Sequence, residues 1–64
     1  MLTDAELLDE LKRRYGPNNV GEKIEERAGW RYVRIKNLPV LYEQAYDEVA
    51  GQGAYQEGLR RQQE

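Results

Sequence analysis

The sequence predicts an all-α protein, a small domain of three to four short helices, and three observations point there. Residues 3–7 carry a doubly marked helix start. Apolar residues recur at helical spacing from Leu7 to Tyr15 and again from Leu38 to Val49. Gly16-Pro17, Gly29 and Gly51 punctuate the chain into pieces of helical length. An α+β alternative, helix, β-hairpin and helix in that order, stays open because residues 22–38 support two readings.

The first helix is the clearest element. Thr3-Asp4-Ala5-Glu6 is a capping box, in which the Thr3 hydroxyl accepts from the Glu6 amide and the Glu6 carboxylate accepts from the Thr3 amide. Leu2 and Leu7 stand at the spacing of a hydrophobic staple. Leu7, Leu8, Leu11 and Tyr15 define one apolar face. Gly16-Pro17 then closes the helix, because glycine takes a left-handed conformation and proline cannot continue the hydrogen-bond ladder. The predicted span is 4–15.

Glu22 to Arg27 is a run of strong helix formers holding one apolar residue, Ile24. Val20, Ile24 and Ala28, spaced by four, make a narrow stripe; Asn18 or Asn19 can cap its start and Gly29 can stop it, giving a helix of about two turns. Trp30 to Leu38 divides the readings. In the helical one, Gly29 turns the chain into another short helix that buries Trp30, Ile35 and Leu38. In the extended one, Ala28-Gly29 is a hairpin turn and Trp30 to Lys36 a strand, with Arg27 opposite Trp30, Glu26 opposite Arg31 and Ile24 opposite Val33. Ala-Gly is a poor two-residue turn and the partner strand is mostly Glu, Lys and Arg, which favours the helical reading.

After this, Asn37 caps a further helix with Pro39 in its first turn, and Leu38, Leu41, Ala45 and Val49 give it an apolar face up to about Ala50. From Gly51 the chain becomes Gly-, Gln- and Arg-rich. Residues 1–50 are expected to form a single compact helical domain and residues 51–64 a polar, flexible C-terminal tail with at most nascent helix.

In the helical reading, Ile24, Ala28, Gly29, Trp30, Ile35 and Leu38 resemble the six apolar or turn positions of a repressor-type helix-turn-helix. The stretch "LLDELKRRYGPNNVGEKIEERAGW" is similar to the opening of winged-helix regulators, where a leucine-rich helix ends in Gly-Pro before the motif. The resemblance covers roughly residues 6–38. It departs from the pattern at Glu25, where a small residue is usual, and at Pro39, which ends the recognition helix early. It implies a helix-turn-helix-like domain that binds DNA and regulates transcription.

Composition removes most catalytic chemistry. The 64 residues include no Cys, His or Ser, so thiolate, imidazole and serine nucleophiles are missing together with the commonest soft and borderline metal ligands. The expectation is a non-catalytic protein with no metal and no cofactor. Without Cys there is no disulfide framework, no apolar run approaches the roughly 18 residues of a membrane span, and the start of the chain has no signal-peptide layout. A cytoplasmic protein with no membrane partner is expected.

The net charge of -2 conceals a segregation along the chain. Residues 1–11 hold four acids and no cation. Residues 12–36 hold eight cations against Glu22, Glu25 and Glu26, and residues 37–64 hold five acids against Arg60 and Arg61. Tyr32, Arg34 and Lys36 face outward in either reading of 30–36, and Arg31 does so in the helical one. Cations neutralise phosphates, Tyr stacks on bases and Arg reads guanine bidentately. Arg31, Tyr32, Arg34 and Lys36, with Lys12, Arg13 and Arg14 beside them, are therefore the candidate nucleic-acid contacts, duplex DNA being the expected ligand and a homodimer the expected means of enlarging a small site. A second expectation is a protein-protein interaction module, an adaptor, inhibitor or phage assembly component, anchored by Trp30, Tyr42, Tyr46 and Tyr55.

Overall fold

The computed structural model describes residues 1–63. It contains α1 (Asp4–Tyr15), a single 3-10 turn (Pro17–Asn19), β1 (Glu25–Arg27), β2 (Trp30–Ile35), β3 (Leu38–Leu41), α2 (Tyr42–Ala50) and α3 (Ala54–Gln63). The strands form one antiparallel sheet in the order β1-β2-β3. The fold is α+β, and the all-α, helix-turn-helix-like expectation is corrected: there is no α-helix between Tyr15 and Tyr42.

The physical reason lies in the spacing of Val33 and Ile35. On a helix, residues two apart point about 200° from one another, so one of these β-branched side chains would face water. On a strand both point the same way, and both are buried here. The register is that of the hairpin alternative, Arg27↔Trp30, Glu26↔Arg31 and Glu25↔Tyr32. Ala28 and Gly29 connect the strands with φ of 53° and 83°. Positive φ at both central residues is the geometry of a type I′ turn, whose twist matches that of the paired strands.

A second turn of the same kind replaces the expected helix start at Asn37. Lys36 and Asn37 have φ of 52° and 66°, and β3 returns along β2 with Ile35↔Leu38, Arg34↔Pro39, Val33↔Val40 and Tyr32↔Leu41. Next to a two-residue turn the flanking pair is hydrogen-bonded and the pairs then alternate, so Pro39 falls at a position whose nitrogen faces away from β2. Its missing N–H is harmless to the sheet and closes that edge to further pairing.

α1 occupies its expected span, with the capping box formed in both directions. It packs with α2 over the inner face of the sheet. Leu7, Leu11 and Val33 are fully enclosed at the centre, and Leu8, Val20, Ile35, Tyr42, Ala45 and Tyr46 complete the core. The segment expected as a tail carries α3, which lays Ala54 and Tyr55 against that core; Glu64 lies outside the described residues. Among the described residues no helix is long and apolar enough to cross a membrane.

Candidate interaction face of the sheet

Alternation along β2 sorts the basic-aromatic segment into two faces. Arg31, Val33 and Ile35 point toward the helices, and Trp30, Tyr32 and Arg34 point away from them. The same parity puts Glu25 and Arg27 of β1 and Pro39 and Leu41 of β3 beside the second group. Among the described residues no helix packs across the Tyr32-Arg34 part of this outer face, whereas at its other end Trp30 and Leu41 line a hollow with Tyr55, Gln56 and Leu59 of α3. Trp30 is 58% exposed, and a concavity of about 380 Å³ is lined by Glu25, Glu26, Arg27, Tyr32, Arg34 and Pro39. Trp30, expected to be buried in the helical reading, is here a surface residue. Leu38, also expected inward, is 65% exposed next to the Lys36-Asn37 turn.

The seven predicted contact residues are dispersed. Tyr32 and Arg34 lie on the outer face. Arg31 lies on the inner face, its guanidinium stacked 3.9 Å above the centre of the Tyr42 ring and 3.7 Å from Asp4 Oδ2. Lys36 sits in the turn at the far end of β2 from Trp30, with its amine 5.8 Å from the Tyr15 ring centre. Six residues of strand separate those ends, about 20 Å. Lys12, Arg13 and Arg14 lie on the last turn of α1.

Carboxylates neutralise most of these cations. Lys12 pairs with Glu22 at 3.2 Å, Arg13 and Arg14 share Glu10, and Arg34 makes a two-pronged contact with Glu25 at 3.2 and 3.4 Å. Arg14 also donates to the Glu48 carbonyl at the end of α2. Arg13 and Arg14 hold the Glu10 carboxyl below the usual carboxylate range, and Arg34 does the same to Glu25. The cations of the basic island are therefore spread over α1, the hairpin and its far turn, and five of them, Lys12, Arg13, Arg14, Arg31 and Arg34, meet carboxylates from the acidic N-terminal segment or from Glu22 and Glu25 within the island itself.

Behind the sheet the tyrosines form a packed cluster. Tyr42 and Tyr46 are buried, and Tyr55 of α3 meets each of them edge-on with ring centres 5.7 Å apart. The Tyr42 hydroxyl donates to Asp4 Oδ1 at 2.7 Å; burial, and then this hydrogen bond, push its pKa up to about 12. Leu2 N–H donates to the Tyr46 hydroxyl oxygen at 3.0 Å. Of the four aromatics expected to anchor a protein partner, only Trp30 is exposed. Among the described residues no group of three or more His, Cys, Asp or Glu side chains is arranged to hold a metal ion.

Sequence reasoning missed Arg27, Pro39 and Leu41 as members of the outer face. Parity with Val33 carries the signal for Arg27 once the hairpin register is chosen, whereas Pro39 and Leu41 join the face only through the second turn. Comparison with known protein families, curated proteins and solved structures finds no match to this chain.

Proposed function

We propose that this protein is a non-catalytic protein-interaction module whose binding surface is the outer face of the sheet, centred on Trp30 and Tyr32. The observation that carries this reading is the contrast on one strand. Val33 and Ile35 account for the packing of β2, while Trp30 is left 58% exposed beside Tyr32 and Leu41, at the end of the outer face that adjoins α3. An exposed Trp beside a half-buried Tyr with Arg nearby is the composition that interface centres favour. Arg34 and Glu25, already paired, supply a polar rim with little net charge.

A second reading places single-stranded nucleic acid on the same face, because Trp30 and Tyr32 lie beside Arg27 and Arg34 and aromatic side chains on a sheet are stacking platforms for bases. The paired state of Arg34 and of the α1 cations weakens this reading, since each neutralised cation has fewer counterions to release from a phosphate backbone.

Trp30 is the only tryptophan, so its fluorescence reports on the face directly. The protein reading expects a stoichiometric partner captured by the wild type from its source cell and lost with Trp30→Ala, and no change in Trp30 emission with single-stranded or duplex oligonucleotides in low salt. Saturable quenching by oligonucleotide that weakens steeply with salt would transfer the assignment to nucleic acid. Equal capture by wild type and Trp30→Ala would remove this face from the reading.

A further inference from the structure

α3 differs from the other helices in how it is held. None of its described side chains is fully buried: Ala54, Tyr55, Gly58 and Leu59 are half-buried and the rest are exposed. Gly58 lies within it, and a ten-residue helix with an internal glycine has little stability of its own. Its specific contacts run mostly to α2, with others to Met1, whose sulfur accepts from the Gln62 amide at 3.3 Å and whose methyl lies against Gly58, and to Arg31 of β2, which hydrogen-bonds Tyr55. Tyr55 packs edge-on to Tyr42 and Tyr46, Tyr55 N–H donates to Asp47 Oδ1 at 2.9 Å, and Gln56 donates to Glu43 at 3.3 Å. The connection is only Gly51-Gln52-Gly53, and both glycines take positive φ, 112° and 83°.

We propose that α3 is an exchangeable arm, and that the surface around Tyr42 and Tyr46 is an interface for α3 of a second copy of this chain. The occupant is identified by α3 itself. Every contact it makes within one chain can be made unchanged between two chains, so exchange alters only the connection and the concentration dependence. The connection has an alternative state ready. If residues 51–53 became helical, α2 and α3 would merge into one helix from Tyr42 to Gln63. The Tyr55 backbone would then lie about 20 Å along the axis from that of Tyr42, too far for α3 to fold back on its own α2. It must then dock on a neighbour.

The glycines decide between the two states. A Cβ at Gly51 or Gly53 would meet nothing within 4 Å, so substitution introduces no collision in the closed form. What alanine adds is a penalty for the left-handed turn and a preference for the continuous helix, together about tenfold or more per position toward the open connection. The experiment is light scattering coupled to gel filtration on the full chain, as wild type and as Gly51→Ala with Gly53→Ala. The expected result is a concentration-dependent monomer–dimer equilibrium in the wild type, shifted at least 100-fold toward dimer in the double variant. In the dimer, contacts from the Tyr55 ring to the Tyr46 ring are expected to run between differently isotope-labelled chains. A folded double variant that stays monomeric overturns the proposal, whether α3 remains docked or comes loose. So does a dimer whose Tyr55–Tyr46 contacts stay within one chain. Tyr32→Ala in the same background is expected to leave the dimer intact, because Tyr32 lines the outer concavity with no residue of α3, and this separates the interface from the outer sheet face.

Discussion

The two faces of β2 are built from consecutive residues and behave as different materials. Val33 and Ile35 lie against α1 and α2, where Val33 is fully enclosed, while Trp30, Tyr32 and Arg34, interleaved with them, face solvent. The inner face needs shape and volume, and two β-branched side chains with Val40 across the strand supply both. The outer face needs neither, so bulky aromatics on it are available for a purpose other than folding. The largest effect that tests this contrast is Val33→Ala. Removing two enclosed methyl groups and leaving a cavity is expected to cost about 2–3 kcal/mol, or roughly 10 °C or more of melting temperature in a domain this small. Tyr32→Ala, one residue away, is expected to cost about 1 kcal/mol or less. Thermal unfolding by circular dichroism measures both, and equal losses would mean that the outer face is also packing.

Trp30→Ala turns the comparison around. With more than half of the side chain in water, little burial is lost, and the melting temperature is expected to move by only a few degrees. Binding of a partner on the outer face is expected to weaken about 30-fold or more, the scale of a Trp at the centre of an interface. Calorimetric titration of wild type and variant against the captured partner reads that change. A variant that unfolds early and binds normally would reverse the roles assigned to the two faces.

Legibility in the sequence followed how local the determining interaction is. α1 was readable to the residue because its cap, staple and stop all lie within a few positions of its ends. The hairpin was readable as a register and not as a preference: parity gives the pairing, but Ala28-Gly29 and a strand of Glu-Glu-Arg score badly on local grounds, and burial of Val33 and Ile35 by helices elsewhere in the chain overrides them. Asn37-Leu38-Pro39 carried a helix-start signal equally compatible with a turn entering an edge strand. For the site, Tyr32 and Arg34 were legible from alternation alone. The pairing of Arg31 with Asp4, of Lys12 with Glu22 and of Arg14 with Glu10 and the end of α2 depends on which elements pack together, and charge counts along a chain do not contain that.

Arg31 is the one cation on the inner face of β2, and its surroundings offer a titration that sharpens the difference between the faces. It stacks on Tyr42, whose hydroxyl donates to Asp4, the same carboxylate that Arg31 approaches. With the Tyr42 pKa raised to about 12, the folded state holds a proton that the unfolded chain releases near the ordinary tyrosine value of 10.0. The unfolded state therefore binds fewer protons between these values, and stability falls as pH rises from 10 toward 12. The contribution is fully present below pH 10. The pKa of Tyr15, whose hydroxyl donates to the Glu48 carboxylate, is also raised. Absorbance titration is therefore expected to show two late tyrosines, of which Tyr42→Phe removes one and Tyr15→Phe the other. Denaturant unfolding of Tyr42→Phe is expected to lose less stability between pH 10 and 12. If both late steps persist in Tyr42→Phe, the raised hydroxyl is not that of Tyr42.

The smallest effect lies where the two faces of the hairpin meet, at the turn. Ala28 has φ of 53°, a region an L-residue with a Cβ enters at a cost of about 1–2 kcal/mol. Asn tolerates it better, and Asn-Gly is the most favourable pair for a type I′ turn. Ala28 is exposed, so the substitution removes no packing. Ala28→Asn is expected to stabilise the protein by about 0.5–1 kcal/mol, read as a higher midpoint in urea with an unchanged slope. Partner affinity at the neighbouring Trp30 should rise slightly or stay the same, because a better-populated turn holds that side chain in place without altering what it presents. A destabilised Ala28→Asn would contradict the left-handed turn. A stabilised variant that loses binding would mean that Ala28 touches the partner, which would extend the outer face around the tip of the hairpin.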